Sequence, residues 1–533
     1  MPTRLTSTIA RRLASEIGAV RKDHGGKLRV CLVYPNTYFV GMSSLGLQAV
    51  YHLFNARPDV VCERAFVPDA DDLTDLARTG AALVSYESQT PLQQFDVIAF
   101  SVSYELDYTN VARVLRLARI PIMGRERDEH HPLVIAGGAA VSINPEPLAD
   151  IVDLFVIGEV EPICEALLDA LAGVSGGHGN ARPTGVPAQA ARLAGVYVPE
   201  KEGRGYGNAR PTLVRQHARR LADWPTHSRT LTPETEFGEL FLVEVSRGCG
   251  RGCKFCVTPM CYWPLRWRPL VSVMESVEIG LQRRDAIGLV GAAVSDHPNV
   301  EEIVTRIVER GARVSLSSLR ADTVTPTLIR ALARSGARSI TLAPEAGAER
   351  LREAIGKGIT EDQIISALQM ASAGGIKEAK LYFMVGLPGE GEEDIAAVPI
   401  LVQKCLDAAD LRRVTVAAGA FVPKPHTPYE REAMLPVAQL SRRLRLIRDA
   451  LRGERRVTLS LESANWSHIE GVLSRGDQRL GGVIAKAEEA GGSLAAWRQA
   501  LPTCGLTAEE FSRARDPGET LPWSFIKPRG QRR

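Results

Sequence analysis

Short apolar segments alternate with amphipathic helical stretches along most of the chain. Four strand-length apolar runs occur in the first third, at 28–35, 96–103, 132–138 and 153–159. Six more follow, at 240–246, 287–294, 313–319, 338–344, 380–386 and 414–422. Alternation of strands and helices predicts an α/β protein with parallel sheets, whose ligands sit beyond the carboxyl ends of the strands.

This pattern divides the chain into five regions. We predict an N-terminal basic helical segment, a Rossmann-like parallel sheet, a low-complexity insertion, a partial (β/α)6 barrel and a mainly helical C-terminal region, at 1–26, 27–172, 173–235, 236–430 and 431–533. The insertion is rich in Gly, Pro, Ala and Arg and carries GNARPT twice, so we interpret it as a linker without a packed core of its own. The apolar run 457–463 indicates one further strand.

Composition narrows the class of protein. The 533 residues include 65 Lys and Arg against 62 Asp and Glu, and 45% are hydrophobic. This balance is typical of a globular protein and argues against a nucleic-acid partner held by a general basic field. No apolar run is long enough to span a membrane, and the N-terminus lacks the apolar core of a secretion signal, so we expect a cytoplasmic protein.

Three of the nine cysteines form a cluster in the sequence. Cys249, Cys253 and Cys256 follow the first barrel strand with the spacing C-x3-C-x2-C. Three thiolates on such a loop suit three irons of a [4Fe-4S] cluster and leave the fourth iron open to a substrate. A zinc site with Cys261 as fourth ligand is the alternative, although catalytic groups gather where barrel strands end.

The triplet, with Phe255 before its last cysteine and a βα barrel behind it, resembles the radical S-adenosylmethionine (SAM) superfamily. The resemblance implies a [4Fe-4S] cluster on Cys249, Cys253 and Cys256, and SAM on the open iron. It also implies reductive cleavage to a 5′-deoxyadenosyl radical and an electron donor such as flavodoxin or ferredoxin. By the same resemblance, SAM contacts fall at Ser295, Glu345, Gly347, Gly386 and Pro388. A helix N-terminal carboxylate is the alternative for Glu345.

The loops after the first four strands resemble those of the cobalamin-binding domain that precedes many radical SAM barrels. Where many such domains carry a cobalt-ligating histidine motif, this chain has Asn36, Tyr38 and Gly41, so the resemblance implies cobalamin without a histidine ligand and with Tyr38 or water near cobalt. Around the nucleotide tail it implies Ser101, Ser103, Gly137 and Gly138. A degenerate domain that has lost the cofactor is the alternative.

Two further segments supply candidates for the barrel mouth, MCYWPLRWRP at 260–269 and FVPKPHTPYE at 421–430. We take Tyr262, His426 and Cys261 as candidate catalytic residues, and Arg266 and Arg268 as binders of a substrate carboxylate or phosphate. Each also has an ordinary structural interpretation, such as an inert buried cysteine or a hydrogen-bonded loop histidine.

The sequence therefore favours a cobalamin-dependent radical SAM methyltransferase acting on an unactivated carbon of a small-molecule or peptide substrate. Cyclisation or rearrangement with the same cofactors is one alternative. A methylthiotransferase is another, although we see no cysteine motif for its second cluster. An iron–sulfur scaffold or sensor without turnover is the alternative outside the enzymes.

Overall fold

The computed structural model describes residues 3–172, 186–200 and 212–527. The first GNARPT repeat and all but the last residue of the second lie outside the described residues. Within the described ranges, no helix is both long and apolar enough to cross a membrane.

A six-stranded sheet forms the first half of the molecule. Its strands are β1 (Leu28–Thr37), β2 (Val60–Val67), β3 (Val97–Ser101), β4 (Leu133–Gly137), β5 (Leu154–Val156) and β6 (Val196–Tyr197), in the order β2-β1-β3-β4-β5-β6. All pairings are parallel except that of β6 with β5. Strands β1 to β5 are almost wholly buried because helices cover both faces.

The helices of this half are α1 (Arg4–Ser15), α2 (Tyr38–Met42), α3 (Leu45–Asn55), α4 (Ala70–Thr79), α5 (Tyr108–Leu117), α6 (Ala139–Ile143), α7 (Cys164–Ala172) and α8 (Ala188–Ala191). Thr3 caps α1, whose buried residues Leu5, Ile9 and Leu13 recur every four positions and form one apolar face.

The described parts of the expected insertion are packed, which differs from a loose linker. Ala190 is fully buried, and β6 extends the first sheet. A short strand β7 (Leu213–Val214) pairs with β17 (Ile526–Lys527), the last strand among the described residues. The apolar residues scattered among the glycines and prolines are sufficient to hold these short pieces on neighbouring cores.

The barrel region contains β8 (Phe241–Glu244), β9 (Ser246–Arg247), β10 (Arg266–Trp267), β11 (Ala286–Val290), β12 (Arg313–Leu316), β13 (Ser339–Glu345), β14 (Glu378–Val385) and β15 (Arg413–Ala420). Its helices are α9 (Thr258–Tyr262), α10 (Leu270–Leu281), α11 (Val300–Glu309), α12 (Pro326–Arg334), α13 (Glu349–Ala354), α14 (Glu361–Ala373) and α15 (Glu392–Ala408). Parallel strands run β8-β11-β12 and β13-β14-β15, and a parallel bridge from Leu319 to Leu342 connects the two sets. The predicted α/β class with an open barrel is confirmed.

The C-terminal region consists of α16 (Val437–Ala450), β16 (Val457–Leu461), α17 (Ala464–Arg475), α18 (Leu480–Glu489), α19 (Leu494–Thr503), α20 (Ala508–Ser512) and β17. Strand β16, where the sequence indicates one further strand, pairs in parallel with β15 and extends the barrel. Residues of α17, α18 and α19 enter the core of the first sheet, and α18 packs on α5. The C-terminal helices therefore join the two halves.

Arg64 supplies a test of the first core. Its fully buried guanidinium lies 2.6 Å from both Glu16 and Glu87. We expect Arg64→Met to lower the free energy of unfolding by about 3–5 kcal/mol, because it leaves two buried carboxylates without a cation. The pair of the exposed Arg78 with the partly buried Asp75 is the control, and Arg78→Met is expected to cost at most about 1 kcal/mol. Urea unfolding followed by circular dichroism measures both, and equal losses would contradict the expectation.

Candidate functional site

The three clustered cysteines lie on the loop between β9 and α9, beyond the carboxyl end of the first barrel strand. Cys249, Cys253 and Cys256 are free thiols and partly exposed. Gly248 starts the loop at φ 83°, where a Cβ would lie 2.5 Å from the carbonyl oxygen of Tyr262, so this tight approach requires glycine. The aromatic ring of Phe255 packs on a small apolar cluster and anchors the loop.

The arrangement of these thiols fits a [4Fe-4S] cluster. Within the described residues, no three His, Cys, Asp or Glu side chains gather around a single point. Three partly exposed thiols on one loop suit a cubane cluster, which binds each thiolate through a different iron, whereas zinc draws four ligands to one point. Cys261, the fourth ligand of the zinc alternative, is buried, and its Sγ faces the carbonyl oxygen of Ala139 at 3.9 Å.

Two cations lie near the thiol of Cys253 and favour its ionised form. Burial raises the pKa of Cys253, whereas Lys357 and Arg320 act in the opposite direction. Lys357 also donates to Glu345, at 2.9 Å between Nζ and Oε1. Glu345 ends β13 with φ 72°, four residues before α13, so its carboxylate does not cap that helix. Burial raises the pKa of Glu345, and Lys357 partly offsets this effect.

The other predicted SAM contacts surround the same end of the barrel. The buried hydroxyl of Ser295 accepts a hydrogen bond from the backbone N–H of Arg320 at 3.2 Å. A Cβ at Gly347 would lie 2.3 Å from the backbone nitrogen of Val398, so close packing on α15 explains this glycine. Gly386, with φ 88°, begins the turn that contains Pro388. These placements are compatible with the predicted contacts, which stay predictions.

A cavity of about 760 Å³ separates the first sheet from the barrel. One wall is formed by the carboxyl ends of β3 to β5, with α3 beside them, and the other by the start of the cysteine loop and by α9. Six of the predicted residues line it: Ser101, Ser103, Gly137, Gly138, Cys261 and Tyr262. The cavity is large enough for an organic cofactor and is mainly apolar on the side of α3.

The structure does not bring Asn36, Tyr38 and Gly41 to this cavity, which corrects the position expected from the cobalamin motif. Tyr38 is fully buried and stacks on Tyr86 at 5.2 Å between ring centroids. Its hydroxyl donates to Glu16, so the ring is fixed in the core beneath α1. Asn36 instead donates to Asp107 at the rim of a second cavity.

His426 lies on the loop after β15 and faces α6. Its Nε2 is 3.0 Å from the carbonyl oxygen of Ile143, and it does not line the large cavity. Burial lowers the pKa of His426 to about 3, so the ring is neutral near pH 7. A neutral ring that donates to a backbone carbonyl connects the barrel to the first sheet, and a proton-relay role stays a prediction.

Arg266 and Arg268, expected at the barrel mouth to bind an anionic substrate, already have partners. The Arg266 guanidinium forms two hydrogen bonds to Glu159 at 2.6 and 3.0 Å. Arg268 pairs with Glu244. Both guanidinium groups are buried among these partners, so the structure assigns them to the junction between the halves. Arg247 completes the network through Glu159, Glu161 and Glu244.

Lys424 lies at a second junction, between the barrel, the first sheet and α17. Its Nζ is 2.7 Å from carboxylates of both Glu105 and Glu470. Tyr104 donates to Glu470 at 2.5 Å beside a cavity of about 550 Å³. The two carboxylates raise the pKa of Lys424, although its burial opposes them, so the side chain is a fixed cation.

Sequence reasoning missed several residues of this region. Arg247 and Arg320 carry no motif of their own, and Glu159 is only the last residue of the apolar run 153–159. Lys357 gave one usable signal, because it lies in a GKG turn twelve residues after Glu345. An ion pair between residues distant in sequence, such as Glu159 and Arg266, produces no local sequence pattern from which it could be predicted.

The fold and the site together define a βα-barrel protein with a three-thiol loop at its mouth and a second parallel sheet facing it. Residues 243–398 match the model of the radical SAM superfamily, and residues 46–199 match that of the N-terminal region of radical SAM proteins. Together the two matches cover more than half of the chain. The chain is therefore an enzyme of the radical SAM superfamily.

Known proteins similar to this chain agree with its fold. An uncharacterized protein of Methanocaldococcus jannaschii is 29% identical over 453 residues, which are 85% of this chain and 89% of that protein. The radical SAM methyltransferase TsrM of Kitasatospora setae, solved with cobalamin and a [4Fe-4S] cluster, matches with a TM-score of 0.53 and 14% identity, over 91% of this chain and 99% of that one. The cobalamin-dependent radical enzyme OxsB, solved with aqua-cobalamin and SAM, matches with a TM-score of 0.51 and 14% identity, over 89% of this chain and 70% of that one.

The glycine pair at the cavity supplies a matched test. Gly138 has φ 112°, and a Cβ there would lie 2.4 Å from the carbonyl oxygen of Val102, whereas a Cβ at Gly137 meets nothing closer than 3.7 Å. We expect Gly138→Ala to lower the free energy of unfolding by about 1–3 kcal/mol, because alanine disfavours this backbone conformation. Gly137→Ala is expected to unfold like the unmodified protein. Thermal unfolding checks both, and an unaffected Gly138→Ala would show that the loop tolerates a side chain.

Proposed function

We propose that this protein is a cobalamin-dependent radical SAM enzyme that methylates an unactivated carbon. The observation that carries the proposal is the large cavity, because it lies between the end of the first sheet and the cysteine loop. When bound, the cluster with SAM supplies a 5′-deoxyadenosyl radical and cobalamin supplies a methyl group. A reaction that uses both the radical and the methyl group requires the two cofactor sites to face the same cavity.

The residues on each side are suited to these groups. Cys249, Cys253 and Cys256 would hold the cluster; burial raises the pKa of Cys253, and the charges of Lys357 and Arg320 oppose this effect. Gly137 and Gly138 would let a flat ring approach the backbone, as side chains at these positions would obstruct it. Helix α3 contributes Ala49, whose small side chain leaves an opening between the helix and the sheet. This opening would accept an apolar tail.

The residues around the cavity exclude water and limit proton transfer. Burial raises the pKa of Cys261 to about 12, so the thiol stays protonated near pH 7. Burial also raises the pKa of Tyr262, which keeps its hydroxyl neutral. Neutral S–H and O–H groups can each give a hydrogen atom to a carbon radical, so Cys261 and Tyr262 are the residues of this wall suited to quench one. TsrM and OxsB, both solved with cobalamin bound, support the proposal by analogy of fold.

A methylthiotransferase is disfavoured by the cysteines of the first half. That activity would need a second cluster site, yet Cys31, Cys62 and Cys164 are each at most 1% exposed. Cys31 and Cys62 lie inside β1 and β2, and burial raises the pKa of both. These thiols are part of the core. Cyclisation or rearrangement with the same cofactors stays the alternative reaction, and an electron donor such as flavodoxin or ferredoxin belongs to either.

The first test is SAM cleavage. After anaerobic reconstitution with iron and sulfide and reduction with dithionite, the protein is expected to form 5′-deoxyadenosine. Cys253→Ala should lose both the iron–sulfur absorbance and the product, because one iron loses its thiolate. Cys405→Ala, in the buried core of the barrel, is the matched control and should keep both. An intact cluster without 5′-deoxyadenosine would refute the enzyme proposal.

The second test is cobalamin binding. Hydroxocobalamin is expected to co-purify or to bind in gel filtration, read from its visible spectrum. Ala49→Trp should abolish this binding by filling the opening beside α3, whereas Ala373→Trp, on an exposed helix end of the barrel, should not. Equal binding by both variants would place cobalamin elsewhere, and none by the unmodified protein would favour the degenerate domain. Transfer of labelled methyl from SAM then separates methylation from rearrangement.

A further inference from the structure

One arginine behind the cavity wall has no partner. Arg215 follows β7 and is 3% exposed. None of its three guanidinium nitrogens has a hydrogen-bond partner in the structure described, and each is inaccessible to solvent. Other buried guanidinium groups near it, such as those of Arg247 and Arg266, lie on carboxylates. A buried cation without hydrogen bonds is strongly disfavoured unless another group neutralises its charge and accepts its hydrogen bonds.

The backbone fixes the position of this side chain. The Arg215 N–H donates to the carbonyl oxygen of Lys527 at 3.1 Å, and the next residue forms a parallel bridge with Gly158. A Cβ at Gly158 would lie only 2.7 Å from Cγ of Arg215, so the stem crosses directly behind this cavity residue. The stem of the side chain therefore lies behind the cavity wall at Gly158, and Arg215 itself is not among the residues that line the cavity.

The groups around the guanidinium are uncharged near pH 7. Cys261 and Tyr262, both on the cavity wall, are the titratable groups that act electrostatically on Arg215, and Arg215 in turn acts on His426. Burial keeps the thiol and the hydroxyl protonated and the imidazole neutral. Among the described residues, no carboxylate acts electrostatically on Arg215, and Lys527 adds a second cation near His426. The local charge is positive and uncompensated.

We propose that Arg215 is the anion-binding residue of the substrate site, and that it receives a carboxylate or phosphate group of the substrate when the side chains of Cys261 and Tyr262 move aside, because its nitrogens are closed off in the structure described. The planar guanidinium suits two parallel hydrogen bonds to such a group, and the surrounding burial strengthens them. This inference rests on the proposed function in one respect, that the anion belongs to the substrate. The anion site itself does not depend on any cofactor. It predicts a substrate that carries an acidic group.

The test is anion binding by the full chain without reconstitution. Inorganic phosphate and acetate are titrated at constant ionic strength, and Tm is recorded. Both anions are expected to raise the Tm of the unmodified protein in a saturable manner. Arg215→Gln should weaken phosphate binding by at least about tenfold, because the charged fork is lost. Arg215→Lys should retain a weaker response, because the charge remains.

A second readout separates binding from a structural role. Without added anion, Arg215→Gln is expected to melt at a higher temperature than the unmodified protein, since the variant buries no unpaired charge. A structural arginine would give the opposite result, a lower Tm with no anion response, and this outcome would overturn the proposal. Arg330→Gln, at an exposed position of α12, is the control and should change neither quantity.

Cobalamin itself carries a phosphodiester, so the source of the anion is tested separately. Cobinamide lacks this group. If Arg215 serves the substrate, the ratio of cobalamin to cobinamide affinity should be the same in the unmodified protein and in Arg215→Gln. A preference for cobalamin that disappears in the variant would overturn the substrate assignment. Because the anion titration requires neither cluster nor SAM, its failure is distinguishable from failure of the radical chemistry.

Discussion

Glu159 lies where the first sheet ends and the cysteine loop of the barrel begins. Its buried carboxylate accepts two hydrogen bonds from Arg266 and another from Arg247. Burial alone would raise the pKa of Glu159, but the bonds from Arg266 and the charge of Arg247 lower it, so it is ionised. With Glu161 and Glu244 opposite Arg247 and Arg268, three carboxylates balance three guanidinium groups. This balance allows charged groups to be buried at the junction.

The position of the cavity depends on that junction. Glu159 and Arg247 both line the cavity, and Gly158 and Gly248 are adjacent to them in the chain. The ion pairs therefore hold the end of the sheet and the cysteine loop on opposite sides of one space. The C-terminal helices reinforce this geometry from the far side, because α17 and α18 pack into the first core while β16 extends the barrel. The proposed chemistry, with two cofactors acting on one substrate, would require this fixed separation.

Much of this organisation is readable in the sequence. Apolar runs of strand length mark all the long parallel strands except β2, because such strands are buried on both faces. The thiols of Cys249, Cys253 and Cys256 are readable because their spacing is local. Tyr38 is different: the cobalamin-like loop gives its place in the chain, but the direction of its side chain depends on Tyr86 and Glu16, which come from other segments. Sequence position alone could not place that ring in the core.

The roles of the arginines likewise depend on partners from other segments of the chain. Arg266 and Arg268 stand in a motif at the barrel mouth, and their side chains are neutralised by Glu159 and Glu244. Arg215 stands in a segment of low complexity and carries no motif, yet it is the one left without a carboxylate at this junction, as far as the described residues extend. Whether an arginine binds substrate depends on which carboxylates the fold brings to it. A residue type fixes the charge, but only the tertiary structure determines whether that charge is free for a ligand.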